Sequence, residues 1–170
     1  MELTLGGARG ENSGGSRTSD FVIQGKTVFK PLEPNGWAWG LAFGNVRHPE
    51  INARNNLIGD LYAYVPASFS FRDDRLVLHT NLGWLHEKAS GRDRLTWGIG
   101  SETQLNERAW LIAETFGQNG DRPLYQAGIR YWIMPGHVQL DTTYGDRFSG
   151  NAGERWVSVG MRLLSAPFLP

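Results

Sequence analysis

The chain has 170 residues, with 17 basic and 17 acidic side chains, a balance that offers no footing for a nucleic-acid partner. It has no cysteine, which excludes a disulfide scaffold and thiolate metal sites. No run of 18 apolar residues occurs, so no transmembrane helix is expected, and a single domain over 1–170 is the default.

In chain order, ten segments alternate with period two and none reads as a helix: 2–9, 19–31, 37–46, 60–71, 76–87, 95–105, 109–116, 124–133, 138–147 and 155–164. Most run ten to thirteen residues. Strands of globular proteins average about five to six, whereas tilted membrane-spanning strands need about nine to eleven. The links alternate as well. "GENSGGSRT", "RHPEINARNNLIG", "KASGRDR", "GQNGDRP" and "DRFSGNAGE" read as long. "LEPNG", "RDDR", "NER" and "MPGH" read as tight. Outer-membrane barrels place short turns on the periplasmic side and longer loops outside. The opening "MELTLGGARG" has no basic n-region and no apolar h-region, so an export signal, if the natural protein has one, is expected to be missing from this chain.

Each segment has one apolar face and one small, polar or charged face. Trp37, Trp39, Leu41 and Phe43 oppose Ala38, Gly40, Ala42 and Gly44. Phe21, Ile23, Thr27 and Phe29 oppose Gln24, Lys26 and Lys30. Tyr125, Ala127, Ile129, Tyr131 and Ile133 oppose Gln126, Gly128, Arg130 and Trp132. In a soluble sandwich or barrel the apolar face would be the core. In a membrane barrel it would meet lipid, and the charged face would line the lumen. Three features favour the second arrangement. The links alternate in length. Glycine, which weakens a strand, recurs on the polar face (Gly40, Gly44, Gly83, Gly98, Gly100, Gly128, Gly160). Trp37, Trp39, Phe29, Phe69, Phe71 and Tyr131 cluster near the short turns, as an interfacial girdle would.

The stretches "DDRLVLHTNLGWLHE", "DRLTWGIGSETQLNERAWLIAETFG", "YQAGIRYWIMPGHVQLDTTYG" and "WVSVGMRLL" resemble bacterial outer-membrane β-barrels grouped with the meta-pathway phenol-degradation proteins. The resemblance implies an outer-membrane location in a Gram-negative cell and passage of small, often aromatic, compounds. Members of that group tend to be longer, so these strands could form part of a twelve-stranded barrel.

The charged set expected inside is Lys26, His79, Glu102, Glu114, Arg130, Asp141 and Arg162. It reads either as a polar permeation lining or as a plug of paired charges. Barrels of about eight strands are filled by side chains and those of sixteen or more hold a channel. Arg130 and Asp141 are expected to face each other, in a register that also pairs Ile133 with Val138. Ala38, Gly40, Ala42 and Gly44 are expected to leave room beside Tyr62 and Tyr64 for a solute, unless Lys26 and the tyrosines fill it. Ser68 and His79 are expected to be close, the start of a nucleophilic site, but no nucleophile elbow accompanies them and no catalytic role is assigned. His48, His86 and His137 lack metal-ligand spacing, and no metal or cofactor is assigned.

The expectation is therefore an all-β, up-and-down antiparallel transmembrane barrel of about ten strands. Its partners would be the lipid bilayer and a small-molecule solute, with no nucleic acid. Its function would be channel or transporter, and not enzyme. A non-conducting structural or adhesive barrel is the alternative, and a membrane-embedded hydrolase a third.

Overall fold

The computed structural model describes residues 2–11, 17–48, 58–148 and 155–164; the side chains of 8–11 and 17–19 lie outside that description. Ten strands form one sheet: β1 (Glu2–Glu11), β2 (Arg17–Lys30), β3 (Trp37–Arg47), β4 (Asp60–Phe71), β5 (Leu76–Glu87), β6 (Arg92–Gln104), β7 (Ala109–Gln118), β8 (Leu124–Met134), β9 (Val138–Arg147) and β10 (Trp156–Leu163). Each strand pairs antiparallel with its neighbour in sequence. The described residues contain no helix, and β1 and β10 are open edges.

The alternation read from sequence is the alternation observed, and β4, β5 and β9 have the expected limits. The sorting of links by length is weaker than expected. β2 and β6 begin earlier than their apolar pattern does, because polar and basic residues extend the ladders. The β5–β6 link therefore shrinks to 88–91, no longer than the 72–75 turn, and the β1–β2 link to 12–16. Length separates only the 48–59 and 148–155 links clearly from the rest.

Two bulges shift the expected register. At the end of β2, Val28 pairs with Gly40 but Lys30 pairs with Trp39. Lys30 is thereby carried to the apolar side, its Nζ 4.0 Å from the Trp37 ring centroid, rather than staying on the polar face with Lys26. At the end of β8, Met134 rather than Ile133 pairs with Val138. The three-residue loop 135–137 closes with a His137 N–H bond to the Met134 carbonyl and Gly136 at φ 73°, a geometry that leaves one extra residue on the strand.

The polar face is concave. Tyr62 and Tyr64 on β4 donate to Gln24 Oε1 on β2, at 3.0 and 3.3 Å, across the intervening β3. Phe116 on β7 and Trp156 on β10 have ring centroids 6.4 Å apart. Strands three places apart in a flat sheet would be separated by about 14 Å. The convex face carries the large apolar side chains, and they are exposed: Phe43 is 51%, Leu82 57%, Ile99 54% and Ile129 48% accessible. Among described hydrophobic residues only Ala42 and Val77 are buried, while Ser70, Gln139 and Thr143 are buried despite their polarity. The accessible surface of 11800 Å² exceeds the roughly 8,400 Å² of a folded water-soluble monomer of this mass.

The short-turn end is latched. Asn35, at φ 56°, donates Nδ2 to Asp73 Oδ1 (2.6 Å) and accepts from the Asp73 N–H at its Oδ1 (3.0 Å). The Ser70 N–H bonds the Gly36 carbonyl at 2.8 Å, so the 31–36 and 72–75 turns act as one unit. Asn35→Gly keeps the left-handed backbone but loses the side-chain bonds, an expected cost of about 1–2 kcal/mol. Asn35→Val adds about 1–2 kcal/mol more, because a branched side chain is strained at positive φ. Denaturant titration of both variants checks the order.

Candidate functional site on the concave face

The ladders set the site. His79 faces Gly100, Gly100 faces Glu114, and Glu114 faces Gln126, so one lateral row crosses β5 to β8 on the concave side. Glu102 is one inward position further along β6 and diagonal to Glu114. The two carboxylates do not act on each other. Gln126 Nε2 donates to Glu114 Oε2 at 2.6 Å, and Arg130 Nη1 donates to Glu102 Oε2 at 2.5 Å. Gln126 and Gln24, absent from the expected set, are thus the residues that organise the expected carboxylate and tyrosines. Their parity on the strands was the available signal.

Arg130 and Asp141 are directly paired in register, as expected. The ion pair, however, goes to Glu102. The strong curl brings β6 within reach of β8, and the Glu102 carboxylate takes the guanidinium. The Asp141 carboxylate instead lies over Gly160, at the place a Cβ there would occupy. Among the described residues Lys26, Asp141 and Arg162 make no ion pair. Arg162 sits on the edge strand and is exposed.

Beside β3 the geometry shows filled space. Ala42 is fully buried. Tyr62 covers Gly44, the β2 backbone closes on Gly40, and Tyr62 and Tyr64 stack at 6.1 Å. Open space lies over β5–β10. A cavity of about 330 Å³ is lined by His79, Glu102, Glu114, Arg130 and Asp141 among others. It meets a second, of about 470 Å³, at Glu114. The second meets a third of about 330 Å³ at Gln118, which reaches His48, Asp60 and Glu87 at the opposite end of the strands. The three form a trough along the concave face, lined by polar and apolar groups together.

Ser68 Oγ lies 2.8 Å from His79 Nδ1, and His79 Nε2 lies 3.7 Å from Glu102 Oε1. This is a nucleophile, base and carboxylate in sequence. The local backbone N–H groups belong to strand ladders, however, and none is placed to stabilise an oxyanion. At the other end His48 is held between Asp20 (2.7 Å) and Asp60 (3.2 Å), and Asp60 also accepts the Lys88 N–H at 2.8 Å. Burial pushes the His48 pKa down, but the two carboxylates outweigh it and the net shift is upward. His86 bonds Asp93 at 2.9 Å, and His137 bonds the Pro135 carbonyl. No cluster suited to a metal ion occurs among the described residues.

Residues 1–164 match the family model described as uncharacterised conserved protein UCP029691, and the chain belongs to that family. No curated protein and no solved structure matches it significantly.

Two outcomes follow. Glu102→Gln is expected to lower stability by about 1–3 kcal/mol by weakening the charged bond to Arg130. Asp141→Asn is expected to cost less, since among the described residues that carboxylate makes no ion pair and Arg130 is bonded to Glu102 instead. Equilibrium unfolding of the two variants checks this. Because His48 has a raised folded pKa, its contribution is fully present below the ordinary histidine value and is lost as pH rises through the folded one. Melting temperature should fall across that window in the parent protein, and the fall should be smaller in His48→Gln.

Proposed function

We propose that this UCP029691 family member is an outer-membrane β-barrel through which small solutes pass, its convex apolar face in lipid and its concave face lining the path. The observation that carries this reading is the inversion of burial. Leucines, isoleucines and phenylalanines cover the outside, while serine, threonine, glutamine and small residues lie within. In water, apolar exposure forfeits roughly 25 cal/mol per Å². In a bilayer the same surface is the one that lipid requires, and the interior strands β2–β9 already have a ladder partner on each side.

Strand lengths of eight to fourteen residues suit a tilted crossing. Phe29, Trp37, Trp39, Phe69, Phe71 and Tyr131 are exposed beside the short turns, where an interfacial girdle would sit. Closure of the curled sheet into a barrel belongs to this proposal. So does the path itself, which we assign to the trough over β5–β10, with the tyrosines of β4 acting as packing on the opposite wall.

Purified protein reconstituted into planar bilayers tests the reading. Stepwise conductance is expected. Gly100 lies in the trough, and a Cβ there would make only ordinary contacts, the nearest at 3.5 Å. Gly100→Trp should therefore fold, as judged by circular dichroism, and conduct less, while Ile99→Ala on the convex face should conduct as the parent does. A parent protein that inserts without conducting would reject the transport reading, and one that stays soluble and monomeric without detergent would reject the membrane reading.

A further inference from the structure

We infer that β1 and β10 of the same chain pair with Glu2 directly opposite Arg162, and that this seam completes a belt of alternating charge around the concave face. The inference rests on the barrel reading above and fixes its closing register.

Three independent observations converge. The first is direction and facing. Each strand reverses the one before, so the first and tenth run antiparallel. Glu2, Thr4 and Gly6 share a face with Lys26, Gln24 and Val22. Ser158, Gly160 and Arg162 share a face with Thr143, Asp141 and Gln139. Keeping both sets concave requires even-numbered residues to meet even-numbered ones.

The second is stagger. The lateral row that starts at Glu2, at the short-turn end of β1, passes Lys26, Ala42, Tyr64, Gly83 and Thr96. It reaches Gln118 at the opposite end of β7. The row from Trp156, the first residue of β10, runs the other way through Gly145, Gln126, Glu114, Gly100 and His79 to Ser68, near the short turns. A row thus climbs a full strand length in crossing seven strands. Strand tilt coupled to stagger is what closure demands. It brings the short-turn ends of β1 and β10, which hold Glu2 and Arg162, to the same level.

The third is charge. Glu102 is bonded to Arg130, and Arg130 faces Asp141. Asp141 leans over Gly160, the inward neighbour of Arg162 on β10. Glu2 faces Lys26. In the open sheet Asp141, Arg162, Glu2 and Lys26 make no ion pair among the described residues. With Glu2 opposite Arg162, the order becomes Glu102, Arg130, Asp141, Arg162, Glu2, Lys26, with signs alternating throughout. The same register sets Leu3 against Met161 and Leu5 against Val159 on the convex face. These side chains, at 66%, 65%, 72% and 77% exposure, are among the most accessible apolar residues described. The belt's consequence for a solute is a zwitterionic ring near the short-turn end, neutral overall and able to grip both ends of a dipolar molecule.

The cysteine-free chain permits a clean test. Leu5→Cys/Val159→Cys is introduced into the protein folded in detergent micelles and oxidised. Directly facing strand positions come within disulfide reach, whereas diagonal ones are further apart. An intramolecular disulfide is expected, forming several-fold faster than in Leu3→Cys/Val159→Cys or Gly7→Cys/Val159→Cys. A faster reaction in either control overturns the register. A disulfide-linked dimer means that a second copy pairs with the edge, and absence of any cross-link means that the edges do not meet; either overturns the seam. As a second measure, Glu2→Arg and Arg162→Glu should each lower the melting temperature, and the double exchange should restore it; failure of restoration overturns the charge belt. Conductance of the cross-linked protein separates the two proposals, since a sealed seam that does not conduct removes the transport reading and leaves the seam standing.

Discussion

The constraint on which this structure depends is that a strand has two faces and this sheet curls toward the polar one. Away from the two bulges, a residue's placement follows from period-two alternation plus the sign of that curvature. Curling toward the apolar face would have made an ordinary hydrophobic core. Curling the other way leaves the apolar side chains outside, and the interior has to be held by hydrogen bonds, ion pairs and small residues. A polar interior is stable only where its groups find partners, because an unpaired buried group costs about 1–3 kcal/mol.

The concave face meets that demand unevenly. Over β2–β4 it is filled: two tyrosines share one glutamine, and Gly40, Ala42 and Gly44 admit the neighbouring chain or a phenol ring. Over β5–β10 it is sparser. Thr143 and Ser158 share a bond at 2.5 Å, Gln126 serves Glu114, and Arg130 serves Glu102, with open volume between them. A filled wall and an open trough share one curved surface, the trough lying on the side away from the tyrosines. This asymmetry is what the transport proposal uses. It is also why charges counted as one network from sequence divide into bonded pairs and unpartnered groups.

The two ends of the strands are stabilised differently. At the short-turn end, backbone conformation matters most: Asn35, Arg72, Asp73 and Asp74 hold positive φ, and their turns are tied through Ser70 and Asn35. At the other end charged groups predominate, with His48 between two aspartates and Arg94 paired with Glu87. Arg155 similarly pairs with Asp146. One end is tied by turn conformation and hydrogen bonds, and the other by charged groups.

Much of this was legible in the chain itself. Alternation located ten strands, because side-chain period is a local property of extended backbone. It also placed Arg130 opposite Asp141 and Ser68 beside His79, because a tight turn fixes the register of its own hairpin. What it could not supply were effects that depend on more than two strands or on a turn's exact closure. The bulges that moved Lys30 and Met134 arise where the loop must be joined to the ladder. The ion pair of Arg130 with Glu102, the bond of Tyr62 to Gln24 and the approach of Phe116 to Trp156 all skip at least one strand. The curvature of the sheet draws them together, and curvature is a collective property that no hairpin carries alone. The sequence by itself determined which residues share a face up to the two bulges, and which strands are neighbours; the tertiary structure decided where those bulges fall, which face is concave and which charges meet across it.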